Sequence, residues 1–226
     1  MKIGNPTGAE PMGSSRQVYT GILRELDDQR MVPGQRLIET ELAVHYSVGR
    51  NAVREAMQHL AARGIVDLSP NRSPSIRTFD REEGFEVLAV ADVMTRLVAR
   101  TAALTYKATD HQNLLVNAAE GIKSALSKGD PRIFNRARRY FYRALLDIGA
   151  NRELQRLFPA IGMHILHLQY ASPKLQQIRH DDYLAIIDAV KGGDAVLAET
   201  VAAKHVKNVR IAIEELQEEW SIEPSR

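Results

Sequence analysis

The chain has 226 residues, of which 44% are hydrophobic and 26% charged, as expected for a soluble protein of one large or two modest domains. It contains no cysteine, which excludes disulfides, thiolate metal sites and cysteine nucleophiles and is consistent with a cytoplasmic location. No run of about eighteen apolar residues indicates a membrane span, and the net charge of +2 is too small to identify a partner.

The first third of the sequence predicts helices separated by turns. Residues 1–15, "MKIGNPTGAEPMGSS", lack the apolar core of a signal peptide and predict a disordered tail. Apolar residues then recur at helical spacing over residues 16–29, and "VPGQRL" interrupts them with a Pro-Gly turn. A second short helix is predicted over residues 39–46.

A third helix and a hairpin complete this segment. The tight connection "SVG" precedes a helix predicted over residues 50–63, and Gly64 suits its C-terminal cap. Two short β-like runs flank the turn in "IVDLSPNRSPSIRTF", which predicts a small hairpin. Three helices followed by a hairpin are the order of a winged helix-turn-helix, here predicted over residues 16–78.

Positive charge collects on the third helix and the hairpin, which predicts contact with a polyanion. Arg50 and Arg54 lie one turn apart on the same helix face, with Asn51 at the tip between them. Arginine can pair bidentately with guanine and asparagine with adenine in the DNA major groove. Arg72 and Arg77 in the hairpin would reach phosphates or the minor groove. The alternative is that these arginines form an ordinary solvated face.

The remainder of the sequence predicts an all-α bundle. A linker is expected at residues 79–84, where "DREEG" forms a charged connector. Helices are predicted at about 81–106, 110–128, 131–148, 151–171, 174–191 and 194–219, with Asp130-Pro131 and Gly192-Gly193-Asp194 as stop and cap signals. Short connections favour antiparallel packing of a domain over residues 85–220, followed by a tail at 221–226. The fold class is therefore mainly α.

The N-terminal segment resembles the DNA-binding domain of the GntR family of bacterial transcription regulators. The shared pattern is PG-x-x-L, then E-x-E-L-A, then V-x-R-x-x-V-R-E-A, and it runs from Pro33 to Ala56 before continuing to Val66. The resemblance implies that DNA is contacted by five residues: Thr40, Arg50, Asn51, Arg54 and Arg72. The sequence departs from the family at Gly49, where a capping serine is usual, and at Ser73, where the wing glycine is usual.

The bundle resembles the FCD effector module of one GntR subfamily, through "FYRALLDIGAN", "IIDAVKGGDAVLAE" and His205. Many such domains bind a divalent metal through one aspartate and three histidines. The matching positions here are Arg138, Tyr142, Tyr183 and His205, and one imidazole cannot hold a metal that takes three or four protein ligands. No metal or other cofactor is therefore expected. His180 could restore one ligand if the register is shifted, and His164 with His167 is an alternative metal pair.

The replacement residues predict how an effector is bound. Arg138 would supply the positive charge that the metal gives in relatives, and so bind a carboxylate or phosphate. Tyr142, Tyr183 and His205 would add directional hydrogen bonds. The alternatives are that Arg138 belongs to a solvated arginine run with Arg136 and Arg139, and that the other three are ordinary core residues.

Together these features predict a ligand-responsive bacterial transcription regulator, specifically a repressor that acts as a homodimer on double-stranded operator DNA. Its effector is expected to be an organic acid bound in the C-terminal domain. Two alternatives are an effector-independent regulator with a decayed pocket and a metal-assisted organic-acid sensor. An enzyme is not expected, because the sequence has no nucleophile elbow, phosphate loop or complete metal-ligand set.

Overall fold

The N-terminal unit consists of three helices and a short hairpin and ends at Thr78. Its elements are α1 (Ser14–Asp27), α2 (Glu39–His45), α3 (Arg50–Ala62), β1 (Val66–Asp67) and β2 (Ser75–Ile76). This is the predicted winged helix-turn-helix. The computed structural model describes residues 13–69 and 73–222, with side chains to residue 217. Arg72 and most of the predicted N-terminal tail therefore lie outside the described residues.

Helical periodicity builds the core of this unit. Val18, Ile22 and Leu26 repeat every four residues along α1 and are fully buried where α1 packs on α3. The two strands pair antiparallel, with Val66 opposite Ile76. Gly64 has φ 63° directly after α3, as predicted for a residue that ends a helix in the left-handed conformation.

The C-terminal unit, residues 79–226, is a helical bundle. Its elements are α4 (Arg81–Thr105), α5 (Ala108–Lys128), α6 (Pro131–Gly149), α7 (Arg152–Leu157), a 3-10 turn (Phe158–Ala160), α8 (Met163–Gln169), α9 (Pro173–Lys191) and α10 (Ala195–Ile222). α10 packs along α4 and α9, and α5 packs along α6. The predicted mainly-α fold class is confirmed.

The first bundle helix begins at residue 81, as predicted, but it overlaps the expected linker. α4 already begins at Arg81, so most of the expected linker at 79–84 is helical. The cause is a capping box, in which Asp80 accepts a hydrogen bond from the Glu83 N–H while the Glu83 side chain accepts from the Asp80 N–H. Ser14 and Ser15 of the expected tail are helical as well, and α10 extends to Ile222.

The single helix predicted over residues 151–171 is also wrong, because the chain there forms α7, the 3-10 turn and α8. Pro159 lies inside the turn, and Gly162 takes φ 76°, which a helix interior does not allow. The apolar pattern continues across this break, and it suggested one continuous helix. The bend places α8 at the cavity described below.

The end of α6 shows a close approach between helices. A Cβ added to Gly149 would lie 2.8 Å from Oγ1 of Thr101, so only glycine fits against α4 at that position. The left-handed conformation that ends the helix falls instead on Ala150, at φ 50° and ψ 20°. Alanine pays a steric penalty in that conformation that glycine does not.

The first residue of the C-terminal unit is held by α8. The Phe79 N–H donates to Oε1 of Gln169 at 2.9 Å, and Nε2 of Gln169 donates to the Phe79 carbonyl at 2.7 Å. The Phe79 ring is buried against Gly162, where an added Cβ would lie 2.7 Å from the ring. Phe79 is thus fixed by two backbone hydrogen bonds and by ring packing.

Candidate functional site

The N-terminal end of α3 lies open on the surface of its unit. Arg50, Asn51 and Arg54 are all exposed on the helix predicted to read DNA. Thr40, in the first turn of α2, is exposed too. Their side chains are therefore accessible, as contact with a duplex requires.

Arg54 connects α3 to the start of α2. Its Nε donates to both carboxylate oxygens of Glu39, at 2.9 and 2.8 Å, while more than half of the Arg54 side chain stays exposed. These hydrogen bonds raise the pKa of Arg54, so the guanidinium is fully charged. Because the contact is made through Nε, the two terminal nitrogens still carry N–H groups that can donate to a base edge.

Gly49 leaves the start of α3 without a side-chain cap. It occupies the N-cap position at φ −72° and ψ 153°, and no side chain there accepts a hydrogen bond from the first turn. A Cβ added at Gly49 would meet nothing within 4 Å. The glycine is therefore not required by packing, and it leaves the backbone around the helix tip open.

The C-terminal unit contains a cavity lined by all four predicted effector residues. Arg138 and Tyr142 come from α6, Tyr183 from α9 and His205 from α10. Each is at most 5% exposed. Arg138 therefore does not belong to a solvated arginine face, although it lies in an arginine run.

The cavity is small. The lining also includes Arg179, His167 and apolar side chains of α4, α8 and α10. Its volume is about 20 Å³, which is room for about one water molecule. An organic molecule would fit only after side chains had moved.

Two guanidinium groups are buried in the lining. Arg138 donates to the Met163 carbonyl only at 3.4 Å and stacks over the Tyr142 ring at 5.0 Å, and its Nε has no hydrogen-bond partner. Arg179 is 3% exposed, and its Nη1 has no partner. Within residues 13–69 and 73–222 neither makes an ion pair with a carboxylate. A buried cation without an anion is costly.

Burial does not remove the charge of Arg179 at neutral pH. Burial, together with the nearby charge of Arg138, lowers the pKa of Arg179 to about 10. That value still lies well above 7, so the side chain keeps its proton. The lining thus carries two positive charges around a small cavity.

His205 belongs to a hydrogen-bonded group with Asp182 and Asn208. Its Nδ1 lies 3.0 Å from Oδ2 of Asp182, and Nδ2 of Asn208 donates to the same carboxylate at 3.0 and 3.2 Å. Since a carboxylate only accepts, Nδ1 carries the hydrogen, and burial lowers the pKa of His205 despite Asp182. Nε2 is then an acceptor, 3.5 Å from the Tyr142 hydroxyl.

The two tyrosines belong to an aromatic cluster. Tyr183 stacks on Phe141 with ring centroids 4.3 Å apart, and Tyr142 packs edge-on against Phe141 at 5.0 Å. Burial and the neighbouring Tyr183 raise the pKa of Tyr142 well above its usual value. Its hydroxyl therefore stays protonated and can donate a hydrogen bond.

The other histidines do not form a metal site with one another. Nε2 of His167 bonds to Oδ1 of Asn135 at 2.8 Å, and His180 pairs with the adjacent Asp181. Among the residues that the structure describes, no three His, Asp or Glu side chains converge as a metal ion requires. The alternative ligand sets built on His164 with His167, or on His180, are therefore incomplete.

Arg179 and Asp182 were missed by sequence reasoning. A signal for Arg179 was available: Arg179 and Tyr183 repeat, on α9, the four-residue spacing of Arg138 and Tyr142 on α6. Asp182 has no such signal, because its role depends on His205 of another helix.

Comparison with known protein families identifies the two units. The model of the bacterial regulatory proteins of the gntR family matches residues 14–76, and the model of the FCD domain matches residues 86–208. The chain belongs to the GntR family. As a member of that family's FCD group it is a DNA-binding transcriptional regulator and not an enzyme.

Curated relatives of this GntR protein are named as transcriptional regulators. A probable D-xylose utilization operon transcriptional repressor of Paenarthrobacter nicotinovorans is 27% identical over 192 residues, 84% of each chain. The HTH-type transcriptional repressor NanR of Cronobacter sakazakii is 24% identical over 232 residues, covering 92% of this chain and 89% of NanR.

Solved structures share the GntR fold. E. coli McbR/YncC superposes with a TM-score of 0.74 at 19% identity, over 91% of this chain and 99% of that one. A putative GntR regulator from Rhodococcus sp. RHA1 also gives 0.74, at 21% identity, over 89% and 97%. Over the described part of this chain, no helix has the length and apolarity needed to cross a bilayer.

The metal found in many FCD domains does not fit these residues. Of the four matching positions only His205 can ligate a divalent cation as it stands, and Asp182 is already bonded to it. Arg138 and Arg179 add two positive charges to the lining, and these charges would repel a metal cation. The donor set and the charge of the cavity both suit an anion instead.

Proposed function

We propose that this GntR protein is a ligand-responsive transcriptional repressor that binds operator DNA as a homodimer. Its operator affinity changes when an organic anion occupies the cavity of the C-terminal unit. The observation that carries the proposal is the pair of buried guanidinium groups, Arg138 and Arg179, which lack an acidic partner among the described residues. Repression is proposed because two relatives are named as transcriptional repressors.

The operator would be read by the exposed end of α3. A helix of this size fits the major groove, and arginine and asparagine can each recognise a base bidentately. Arg50, Asn51 and Arg54 would contact base edges, while Thr40 would contact the backbone. Arg72 is proposed from the family resemblance alone.

The homodimer would form through α4. Large apolar side chains are exposed along it at positions 90, 93, 97 and 104, a spacing that places them on one face of the helix. They are Val90 at 49%, Val93 at 63%, Leu97 at 42% and Leu104 at 64% exposed. A second copy of this chain would cover them, and two copies match a near-palindromic operator.

The effector would bind Arg138 directly. Its carboxylate or phosphate would accept charge-assisted hydrogen bonds from the guanidinium, and Tyr142, Tyr183 and His205 would fix its orientation. No metal is needed in this arrangement, since Arg138 supplies the charge. The cavity must open to admit the effector, and ligand can shift the protein only by binding one conformation better than the other.

A second candidate is an effector-independent regulator. The small cavity favours this candidate, because a volume of about 20 Å³ is what a pocket that has lost its ligand site would have. A thermal-shift screen with organic acids distinguishes the two, because a ligand that binds only the folded state raises the melting temperature. A ligand that also changes operator affinity supports sensing.

DNA binding is tested with operator sequences selected from a random duplex pool. Arg50→Ala is expected to weaken the protein's affinity for the selected duplex about 5- to 150-fold and to relax the protein's sequence preference. Arg24→Ala removes the same charge from an exposed site on α1 and is the matched control. Equal losses in the two variants, or no loss in either, would contradict α3 as the reading helix.

A further inference from the structure

The same pattern, R-x-x-x-Y, occurs on two helices that face one cavity. On α6 it is Arg138 with Tyr142, and on α9 it is Arg179 with Tyr183. Residues four apart lie on one helix face, so each helix presents one guanidinium and one phenol. All four side chains line the cavity.

The guanidinium of Arg179, like that of Arg138, has a buried nitrogen without a hydrogen-bond partner. Arg179 is more deeply buried than Arg138, 3% against 5% exposed, and its Nη1 lacks a partner just as Nε of Arg138 does. The carboxylate among the neighbouring groups, Asp182, is already bonded to His205 and Asn208. It therefore does not pair with Arg179 in this structure.

We propose that the effector is a small dianion, with one negative charge for Arg138 and one for Arg179. This inference rests on the proposed function and specifies its ligand. Arg179 is then the residue that distinguishes a dianion from a monoanion. The chemical class is a short dicarboxylate or a phosphate monoester, since either offers two charges in a compact molecule.

A monoanion would leave the cavity unbalanced. It could neutralise one guanidinium, but the other would remain buried without a counter-charge, at a cost that weakens binding. A dianion pairs both at once. Leaving one member of a buried charge pair unmatched typically weakens binding by about 30-fold or more, which sets the expected selectivity.

The experiment measures this selectivity in the full chain by isothermal titration and thermal shift. The probes are short dicarboxylates, each paired with the monocarboxylate of equal carbon number, such as succinate with butyrate. Glycerol 3-phosphate paired with glycerol, and inorganic phosphate, test the phosphate source. Chloride at matched ionic strength controls for salt.

The variants isolate the role of Arg179. In the wild type, at least one dianion should bind at least about 30-fold more tightly than its singly charged or neutral counterpart. Arg179→Met should reduce that ratio to within about threefold of unity, whereas Arg179→Lys should restore part of it. Arg143→Met, at an 82% exposed position of α6, should leave it unchanged.

Other results would contradict either the dianion proposal or the sensing function itself. If a monoanion binds as tightly as its dianionic partner and Arg179→Met does not weaken it, the dianion proposal fails and ligand sensing through Arg138 stands. If neither the organic dianions nor phosphate stabilises the wild type, the dianion proposal is wrong. If in addition no monoanion binds, sensing itself fails and the effector-independent function is supported.

Discussion

Replacing Arg179 with methionine should stabilise the ligand-free protein. The side chain is 3% exposed, and methionine keeps most of its length while removing the charge. Most substitutions at buried sites destabilise a protein, so an increase would be an unusual result with a specific cause.

The magnitude follows from the pKa of Arg179. Burial and Arg138 lower that pKa well below its usual value, to about 10, and at about 1.4 kcal/mol per pKa unit the charged form costs the folded state about 3 kcal/mol. The folded pKa lies below the unfolded one, so this cost is fully present below pH 10 and disappears only as the pH rises towards the unfolded pKa. The gain from Arg179→Met should therefore be equal at pH 7 and pH 9.

Urea denaturation at both pH values measures the effect. We expect the unfolding free energy to rise by about 1–3 kcal/mol, the lower value allowing for imperfect packing of methionine. Arg143→Met, on the exposed face of α6, is the control and should change stability by less than about 0.5 kcal/mol. A loss of stability in Arg179→Met would show that the folded protein already neutralises this charge, and the reasoning about the cavity would be refuted.

Three further predictions concern other parts of the C-terminal unit. Val93→Glu should convert the proposed dimer to a 25.3 kDa monomer in light-scattering measurements, while Val44→Glu on α2 should not; a dimeric Val93→Glu would exclude α4 as the interface. Ala150→Gly should raise the unfolding free energy by about 0.5–1 kcal/mol by relieving φ 50°, and a decrease in urea melts would count against strain there. Burial lowers the pKa of His167 well below 6.5, so the unfolded chain binds the extra proton and stability should fall by about 1.4 kcal/mol per pH unit below 6.5. His164 and His205, whose pKa values burial also lowers, add to this slope. His167→Gln should therefore reduce the slope by about 1.4 kcal/mol per pH unit, and an unchanged slope would assign it to the other groups.

Local sequence signals predicted most helix ends. Gly64 after α3 and Asp130-Pro131 before α6 carry chemistry that acts within one turn, so neither depends on the rest of the fold. The Asp80-x-x-Glu83 capping box was equally local: α4 begins at residue 81, as predicted, although the charged "DREEG" also suggested a linker there.

The break between α7 and α8 was harder to predict. Pro159 and Gly162 mark it, but the apolar residues on either side continue a helical pattern. Whether such a stretch bends depends on what it packs against, and here the Phe79 ring occupies the space beside Gly162. That contact joins distant parts of the sequence and leaves no local signal.

The cavity was predictable only in part. Arg138 lies in an arginine run, which by itself suggests solvent exposure, and the family resemblance rather than the local pattern placed it inside. Arg179 occupies no position of the family pattern considered, and burial of a charge is decided by the helices around it. Asp182 acquires its role only when α10 brings His205 beside it.

The hydrogen bonds between the Gln169 side chain and the Phe79 backbone link the cavity to the start of the C-terminal unit. Gln169 is the last residue of α8, and the first residue of the same helix, Met163, provides the carbonyl that Arg138 contacts. The two contacts therefore lie at opposite ends of one seven-residue helix, Arg138 at Met163 and the Phe79 backbone at Gln169. If the proposed effector shifts Met163, α8 is the element that would carry the displacement to the first residue of the C-terminal unit.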